Sequence, residues 1–270
     1  MLTFLFWNVK RNPLERVVAS LAMAHDVDVL VLAESPLPHA HSIKDSSGTS
    51  GTGFQLAPSM CTRLAVYTRF SNSLVVPVKE ASTFTIRRVE LPLRPGILMA
   101  AAHLPSKLRW RDESQPFEAV EFARVIRQAE MEVGHRRTVV LGDLNMNPYE
   151  PGLLAAPSLN ATMTRQVASK GARKVQGKVY PYFFNPMWGL FNDGARGVPG
   201  TYYRASSEHV TAFWNMFDQV LVRPDLLGRF RTESVRILTT DGGARLLNKN
   251  GIPNASEFSD HLPIVFQLDV

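Results

Sequence analysis

The first 34 residues constrain the fold most, because they predict a strand, a helix and a second strand in immediate succession. Residues 2–9 are mostly apolar and contain Trp7-Asn8, and residues 27–34 form a second apolar run that ends in Glu34. Between them, apolar residues recur at helical spacing after Asn12-Pro13, which predicts a helix with Asn12 as its N-cap. A polar side chain at the end of each strand is typical of a layered α/β fold with its site at the strand ends.

A third strand with a polar end lies at the centre of the chain. Residues 139–141 are apolar and run into Gly142, Asp143 and Asn145, and an apolar run this short favours a buried strand. Asp143 and Asn145 are two positions apart and therefore point the same way if the strand geometry continues. A carboxylate beside an amide suits a phosphate and a hydrated Mg²⁺ ion. The same Asp-Leu-Asn sequence is also an ordinary turn.

Composition indicates a soluble globular protein, with 45% hydrophobic and 20% charged residues among 270. We predict one domain over residues 1–270, because no linker long enough to divide the chain is present. There is no apolar run of about 18 residues and no signal-peptide pattern, which predicts no membrane insertion. Cys61 is the single cysteine, which excludes an internal disulfide and favours a reducing, cytoplasmic location. The net charge of +6 favours polyanionic partners.

The rest of the chain predicts a mixture of hairpins and helices. Closely spaced strands at 64–68, 74–78, 83–91 and 97–104 predict antiparallel hairpins. Residues 114–134 form the best helical pattern, with Ser114 and Gly134 at the cap positions. We expect residues 150–200 to be irregular, and further strands at 213–222, 234–238 and after His261.

Polar side chains follow the apolar strands throughout the chain, and together they match one family in order and in motif. They are Asn8, Glu34, His103, Asp143 with Asn145, Asp218, and Asp260 with His261. The motifs are Trp7-Asn8-Val9, Ala33-Glu34, Ala102-His103-Leu104-Pro105-Ser106, Gly142-Asp143-Leu144-Asn145, Phe217-Asp218-Gln219 and Ser259-Asp260-His261. In these motifs the chain resembles the endonuclease/exonuclease/phosphatase superfamily, metal-dependent phosphodiesterases that include deoxyribonuclease I, exonuclease III and the neutral sphingomyelinases.

The resemblance implies a four-layered α/β/β/α sandwich, in which two mixed sheets pack face to face with helices outside. It also implies hydrolysis of a phosphodiester with Mg²⁺, for which Mn²⁺ is a possible substitute. For the metal, the resemblance implies Glu34 as the principal carboxylate, with Asn8 orienting Glu34 or contacting the ion. For the reaction, it implies that Asp143 activates the attacking water, that Asn145 and His103 donate hydrogen bonds to the scissile phosphate, and that His261 does the same or stabilises the transition state as an imidazolium. Asp260 would fix the His261 ring or join the metal shell, and Asp218 would orient a catalytic histidine.

The chain departs from the family pattern at several positions. Val9-Lys10-Arg11 stands where the abasic-site endonucleases usually have Asn-Gly after the first asparagine, and Ser35-Pro36 stands where they have Thr-Lys. These differences argue against a repair enzyme of the exonuclease III type. His103 replaces a tyrosine found in some members, so the phosphate donor would differ in pKa.

The leading substrate is a nucleic acid, either DNA or RNA. The candidate substrate-binding residues are Lys10, Ser106, Lys107, Arg109, Arg173, Lys174 and Trp188. Basic residues beside aromatic ones suit phosphate contact and base stacking, although 165–188 could equally be a solvated basic loop over core aromatics. Two alternatives remain: a phosphatase or phosphodiesterase acting on a lipid or small phosphate ester, and a catalytically silent binding module. The intact ligand set argues against the silent module. The sequence carries no signal for oligomeric state.

Overall fold

Strands supply most of the regular secondary structure, and most of them pair into two large sheets. The computed structural model describes residues 1–36, 53–106, 114–193 and 197–270. Within these ranges the strands, in chain order, are β1 (Leu2–Asn8), β2 (Val29–Ala33), β3 (Gln55–Ala57), β4 (Leu64–Thr68), β5 (Val75–Ala81), β6 (Phe84–Val89), β7 (Ile97–His103), β8 (Thr138–Asp143), β9 (Ala161–Thr162), β10 (Ala172–Val175), β11 (Lys178–Pro181), β12 (Phe183–Phe184), β13 (Tyr202–Tyr203), β14 (Trp214–Asn215), β15 (Asp218–Val222), β16 (Phe230–Ile237) and β17 (Ile264–Leu268).

Both large sheets are mixed. The six-stranded sheet has the order β16-β17-β1-β2-β4-β3, and the seven-stranded sheet has the order β5-β6-β7-β8-β15-β12-β9. The pairs β1–β2 and β7–β8 are parallel, whereas β1–β17 and β8–β15 are antiparallel. Two further pairs, β10–β11 and β13–β14, form small antiparallel ribbons.

Within the described ranges the helices are few and lie between strands. They are α1 (Glu15–Ala24), α2 (Gln115–Val133), α3 (Pro151–Leu154) and α4 (Arg165–Ala168), with short 3-10 segments at Asn72–Leu74, Pro186–Gly189 and Pro224–Arg229. Helix α2 ends as predicted, with Gly134 in a left-handed conformation (φ 73°). The prediction of Asn12 as the N-cap of α1 is wrong: the helix begins at Glu15, and the Asn12 side-chain amide instead donates to the carbonyl of Phe258. None of the helices in these ranges has the length and hydropathy needed to cross a bilayer.

Three groups of buried apolar side chains separate four layers. Because side chains alternate along a strand, β1 sends Phe4 and Phe6 to one face and Leu5 and Trp7 to the other. The core between the two sheets includes Phe4, Phe6, Val31, Met99, Leu141 and Val220. The core between the six-stranded sheet and α1 includes Leu5, Trp7, Val18, Leu21 and Leu30. The core between the seven-stranded sheet and α2 includes Leu98, Phe122, Ile126, Val140 and Leu221. The predicted α/β/β/α sandwich is confirmed.

Three predictions differ in detail. The strands predicted at 64–68 and 74–78 do not form a hairpin, because β4 belongs to the six-stranded sheet and β5 to the seven-stranded sheet. Residues 150–200 were expected to be irregular, yet they contain α3, α4 and the short strands β9 to β12. Strands of two to four residues are too short to give a periodic pattern, so local sequence does not reveal them. The predicted strand over 213–222 is broken between Asn215 and Asp218, where the Met216 backbone N–H donates to the Asn147 side chain (2.9 Å).

Candidate active site

The seven-stranded sheet places three predicted site residues side by side. Parallel pairing of β7 with β8 sets His103 opposite Asp143. Antiparallel pairing of β8 with β15 sets Asp218 opposite the same Asp143. A carboxylate is therefore flanked by a histidine on one strand and by a second carboxylate on the other.

The six-stranded sheet supplies the facing residues. Parallel pairing of β1 with β2 sets Asn8 opposite Ala33, so Glu34 follows directly beside it, in a left-handed conformation (φ 50°). The Asn8 side chain crosses between the sheets, and its Nδ2 donates to Asp143 Oδ2 (3.0 Å). Asn8 therefore orients Asp143 directly, whereas the resemblance implied that it orients Glu34 or contacts the ion.

Gly142 allows β7 and β8 to approach at the site. Its φ is 150°, and a Cβ built on it would lie 1.9 Å from the Ala102 carbonyl oxygen. Only a residue without a side chain fits there. The glycine of the Gly-Asp-Leu-Asn motif is thus required by the contact that brings His103 and Asp143 together.

Asp143 and Asn145 form a closed turn. The Asn145 backbone N–H donates to Asp143 Oδ1 (2.9 Å), and Asn145 itself has a φ of 51°. The Asn145 Nδ2 donates one hydrogen to the Leu104 carbonyl (2.9 Å). A primary amide carries two donor hydrogens, so one remains to donate to a ligand.

His261 and Asp218 form a buried pair. His261 Nδ1 lies 2.8 Å from Asp218 Oδ2, and His261 Nε2 lies 3.8 Å from Asp143 Oδ2. Burial alone would lower the pKa of His261, but the charges of Asp218 and Asp143 outweigh it and raise that pKa to about 10. The Tyr202 ring packs against the imidazole, with the two centroids 4.8 Å apart. Asp218 therefore contacts the His261 ring at Nδ1, whereas the Asp260 carboxylate lies against the Lys10 ammonium group.

The Ser259-Asp260-His261 turn is fastened to β1. Ser259 Oγ donates to the Asn8 carbonyl (2.7 Å) and accepts the His261 backbone N–H (3.2 Å). The Trp7 indole N–H donates to the His261 carbonyl (2.9 Å). These bonds explain why tryptophan and serine accompany the two motifs.

Lys10 forms an ion pair with the carboxylate of Asp260. Lys10 Nζ lies 2.8 Å from Asp260 Oδ2, and the Lys10 backbone N–H donates to Asn8 Oδ1 (3.1 Å). Lys10 and Arg11 both have left-handed backbones (φ 50° and 58°), which fixes the turn after β1. A divalent ion at Asp260 would have to compete with this ammonium group.

Glu34 and His103 face each other across the cleft. His103 Nε2 is 3.7 Å from both Glu34 Oε1 and Asp143 Oδ2, and Arg11 Nε is 3.9 Å from Glu34 Oε2. These separations exceed hydrogen-bonding distance. The Glu34 carboxylate, which is one-third exposed, therefore lies near His103 and Arg11 without a hydrogen bond to either of them.

These residues line a cleft of about 1270 Å³. The predicted residues that reach it are Asn8, Lys10, Glu34, His103, Ser106, Asp143, Asn145, Asp260 and His261. Asp218 lies behind His261 and is fully buried. The cleft therefore unites most of the predicted catalytic and metal-binding positions.

Other predicted substrate-binding residues are not at the cleft. Arg173, Lys174 and Trp188 are absent from its described lining, and the Arg173 guanidinium instead donates to Asn160 Oδ1 (2.7 Å) and to the Leu154 carbonyl (2.9 Å). The chain carries this segment to the other end of β15, so sequence proximity to Asp143 is misleading. Lys107 and Arg109 lie outside the described residues.

Several cleft residues were missed by sequence reasoning. Tyr202, Arg63 and Arg204 line the cleft. Gln219 does not line it, but its Nε2 braces the loop after Asp143 by donating to the Met146 carbonyl (2.6 Å). The Phe-Asp-Gln motif contained the signal for Gln219, because a glutamine after a site aspartate would be placed to bond a neighbouring loop.

The described residues include a group that could hold a metal ion. Asp143, Asp218 and His261 bring three ligand atoms within 4.8 Å of one another. In the arrangement observed, however, His261 Nδ1 is committed to Asp218, and an imidazolium cannot act as a ligand. Glu34 is the more accessible oxygen donor, and carboxylate oxygens are what Mg²⁺ prefers.

The chain is similar to known proteins in its three-dimensional structure. No protein-family model matches the chain, and no curated protein matches it in sequence. An AP endonuclease from Archaeoglobus fulgidus is 14% identical with a TM-score of 0.57, and the match covers 100% of both chains. A 3′ phosphatase from Neisseria, solved with a product DNA hairpin, is 15% identical with a TM-score of 0.54, again over 100% of both chains.

A third solved structure carries the family's name. An endonuclease/exonuclease/phosphatase family protein from Leptotrichia buccalis is 10% identical with a TM-score of 0.55, over 100% of both chains. Structural similarity over the full length at 10–15% sequence identity shows a shared fold. The chain therefore has the fold of the endonuclease/exonuclease/phosphatase family.

Proposed function

We propose that this protein is a divalent-metal-dependent hydrolase of phosphoric esters, and within that class a nuclease acting on DNA or RNA. The observation that carries the proposal is the convergence of Glu34, His103, Asp143, Asn145 and the Asp218–His261 pair on one cleft. The structural neighbours support it, since one is an endonuclease and another is a phosphatase solved with DNA.

The scissile phosphate is held by donors that the fold has already positioned. The raised pKa of His261 keeps its imidazole protonated at neutral pH. The positively charged ring therefore has an Nε2–H donor 3.8 Å from Asp143 Oδ2. The remaining hydrogen of the Asn145 amide and Nε2 of His103 complete the set. Donors fixed before the reaction stabilise charge that develops on the phosphoryl oxygens without reorganisation.

Asp143 orients and deprotonates the attacking water. Its two oxygens accept from Asn8 and from the Asn145 backbone, so the carboxylate cannot rotate away. One lone pair on each oxygen remains, because a carboxylate offers about four acceptor sites. The chain thus fixes the direction from which a water can be activated.

Mg²⁺, or Mn²⁺ in its place, fits the oxygen donors at the rim. Glu34 would hold it, with Asn8 Oδ1 near the same strand end, and Asp260 would join only after releasing Lys10. When bound, such an ion would neutralise charge on the phosphate and acidify a bound water. The chain's contribution is the positioned carboxylate.

A phosphatase or phosphodiesterase acting on a smaller ester is the second candidate. The cleft lining mixes Lys10, Arg11, Arg63 and Arg204 with the acids Glu150 and Glu208. A long polyanion would meet both signs of charge there, whereas a small ester would occupy only the centre.

The single free and buried Cys61 supports placing the protein in a reducing, cytoplasmic compartment, as part of the same proposal.

The test is hydrolysis of a substrate panel with Mg²⁺, Mn²⁺ or EDTA. The panel holds single- and double-stranded DNA, RNA, sphingomyelin, a phosphoinositide and bis-p-nitrophenyl phosphate. We expect metal-dependent cleavage of polynucleotide, reduced about 10²- to 10⁴-fold in Asp143→Asn and Glu34→Gln. Glu233→Gln, an exposed charge change on β16, is the matched control. Cleavage in EDTA, or full activity in both site variants, would overturn the mechanism, and cleavage of only a lipid or small diester would select the second candidate.

A further inference from the structure

The hairpin formed by β10 and β11, here called the basic ribbon (residues 172–181), projects into solvent. Every residue from Arg173 to Val179 is exposed. The two-residue turn at Gln176 and Gly177 has positive φ at both positions (47° and 80°), which is the turn geometry that suits a tight hairpin. The ribbon is thus a regular element that covers no core.

The ribbon carries positive charge without compensation. Residues 151–192 contain no aspartate or glutamate, and Lys170, Arg173, Lys174 and Lys178 fall within that range. Within the parts of the chain that the structure describes, none of these four side chains takes part in an ion pair. A surface of one sign attracts an extended partner of the opposite sign.

The ribbon is held rigidly at its base. Asn160 Nδ2 donates to the carbonyls of Tyr180 (3.1 Å) and Pro181 (3.2 Å), and Arg173 Nε donates to Asn160 Oδ1 (2.7 Å). The buried Arg223 guanidinium also donates to the Pro181 carbonyl (3.1 Å). A ribbon fixed in this way loses little conformational entropy when a partner binds.

The cations near the tip project from both faces. Lys174 pairs with Val179 across the ribbon, and Val175 pairs with Lys178. Because adjacent residues on a strand point to opposite faces, Lys174 and Lys178 lie on different faces. Phosphates line both walls of a duplex groove, and the major groove of B-DNA admits a two-stranded ribbon.

The ribbon is not part of the catalytic cleft. It leads into β12, where Phe184 pairs with Val222 at one end of β15, whereas Asp218 is at the other end. Those ends are about 13 Å apart at the usual rise of a strand. A contact at the ribbon therefore involves a part of the partner that the cleft does not hold.

We propose that the basic ribbon is a second binding surface, which docks in the major groove of duplex DNA outside the cleft. This inference rests on the proposed function and deepens it, because it assigns DNA over RNA. The major groove of an A-form RNA duplex is too deep and narrow to admit the ribbon. The ribbon would tether a long substrate and contribute nothing to a short one.

The experiment is anisotropy of a labelled 30-base-pair DNA duplex across a salt series, in EDTA so that nothing is cleaved. Lys174→Gln/Lys178→Gln removes the two tip charges and leaves the Arg173 brace in place. We expect the slope of log affinity against log salt to fall by about 1.8, at about 0.9 per phosphate contact. Between 50 and 200 mM salt, the affinity gap between wild type and variant would then narrow about twelvefold. Arg245→Gln/Lys249→Gln, two exposed cations elsewhere, should leave the slope unchanged.

An unchanged slope in the ribbon variant would overturn the inference, as would equal losses with single-stranded DNA or duplex RNA. Binding to phosphatidylserine vesicles but not to DNA would overturn it in favour of a membrane surface. Hydrolysis of bis-p-nitrophenyl phosphate, measured separately, reports on the cleft alone. The proposed chemistry can therefore fail while the ribbon binds, or hold while it does not.

Discussion

Substitution of Gly142 by alanine tests whether the close approach of β7 and β8 builds the site. The added Cβ would lie 1.9 Å from the Ala102 carbonyl oxygen and 2.8 Å from its carbonyl carbon, and real Cβ atoms essentially never come within 3.0 Å. Both groups belong to backbone, so no side chain can rotate aside. The strands must separate by about 1 Å, against a usual spacing of about 4.8 Å.

The cost has two sources. Overpacking in a rigid core costs about 1–3 kcal/mol, and a backbone conformation that suits only glycine adds about 1–3 kcal/mol. We therefore expect Gly142→Ala to lower the free energy of unfolding by about 2–6 kcal/mol. Turnover should fall further than the folded fraction, because His103 and Asp143 follow the two separated residues.

Urea unfolding followed by tryptophan fluorescence measures the loss, with Gly251→Ala as the control. Gly251 also has a positive φ (76°), but no atom lies within 4 Å of the place that an added methyl group would take, so only the backbone conformation is perturbed, at about 1–2 kcal/mol. Equal losses in the two variants would refute the reasoning, because the steric contact would then contribute nothing.

Two further predictions concern buried charges. In Asp218→Asn, His261 loses the partner that raises its pKa to about 10. The stabilisation from that raised pKa is complete below the unfolded value near 6.5 and disappears as pH rises toward 10, so the stability gap between wild type and variant, measured by urea unfolding in EDTA, should shrink over that range. Arg223→Met should cost about 3–5 kcal/mol, because it leaves buried Glu130 without its 2.7 Å partner, and losses no larger than those of Arg231→Met at the exposed Asp269 pair would contradict this.

The strand ends could be predicted because each carries its signal locally. An apolar run that stops at Asn8, Glu34, His103 or Asp143 predicts a buried strand with a polar tip, and parallel pairing then gathers the tips at one edge. The resemblance supplied the order of the motifs. Local pattern and family pattern agreed on the same side chains.

The remaining features depend on contacts that no local pattern encodes. The Asn8–Asp143 bond and the packing of Tyr202 on His261 join residues more than 50 positions apart. Arg173 follows Asp143 by only 30 positions, yet the chain turns away to the far end of β15 before reaching it. Charge and aromatic content suggested a substrate contact at the site, whereas the position of the segment is set by the sheet order.

The placement of β17 between β1 and β16 governs when the site can form during synthesis. A nascent chain that has not yet supplied residues 259–268 already holds Asn8, Glu34, His103 and Asp143. It still lacks the turn that fastens His261 to β1 and the strand that joins β1 to β16 in the six-stranded sheet. Pairing the two ends of the sequence requires closing a loop of nearly the whole chain, which makes it a late step of folding. The site is therefore complete only after residues 259–268 have been made and paired with β1, and fragments that lack this segment would lack His261 and its attachment to β1.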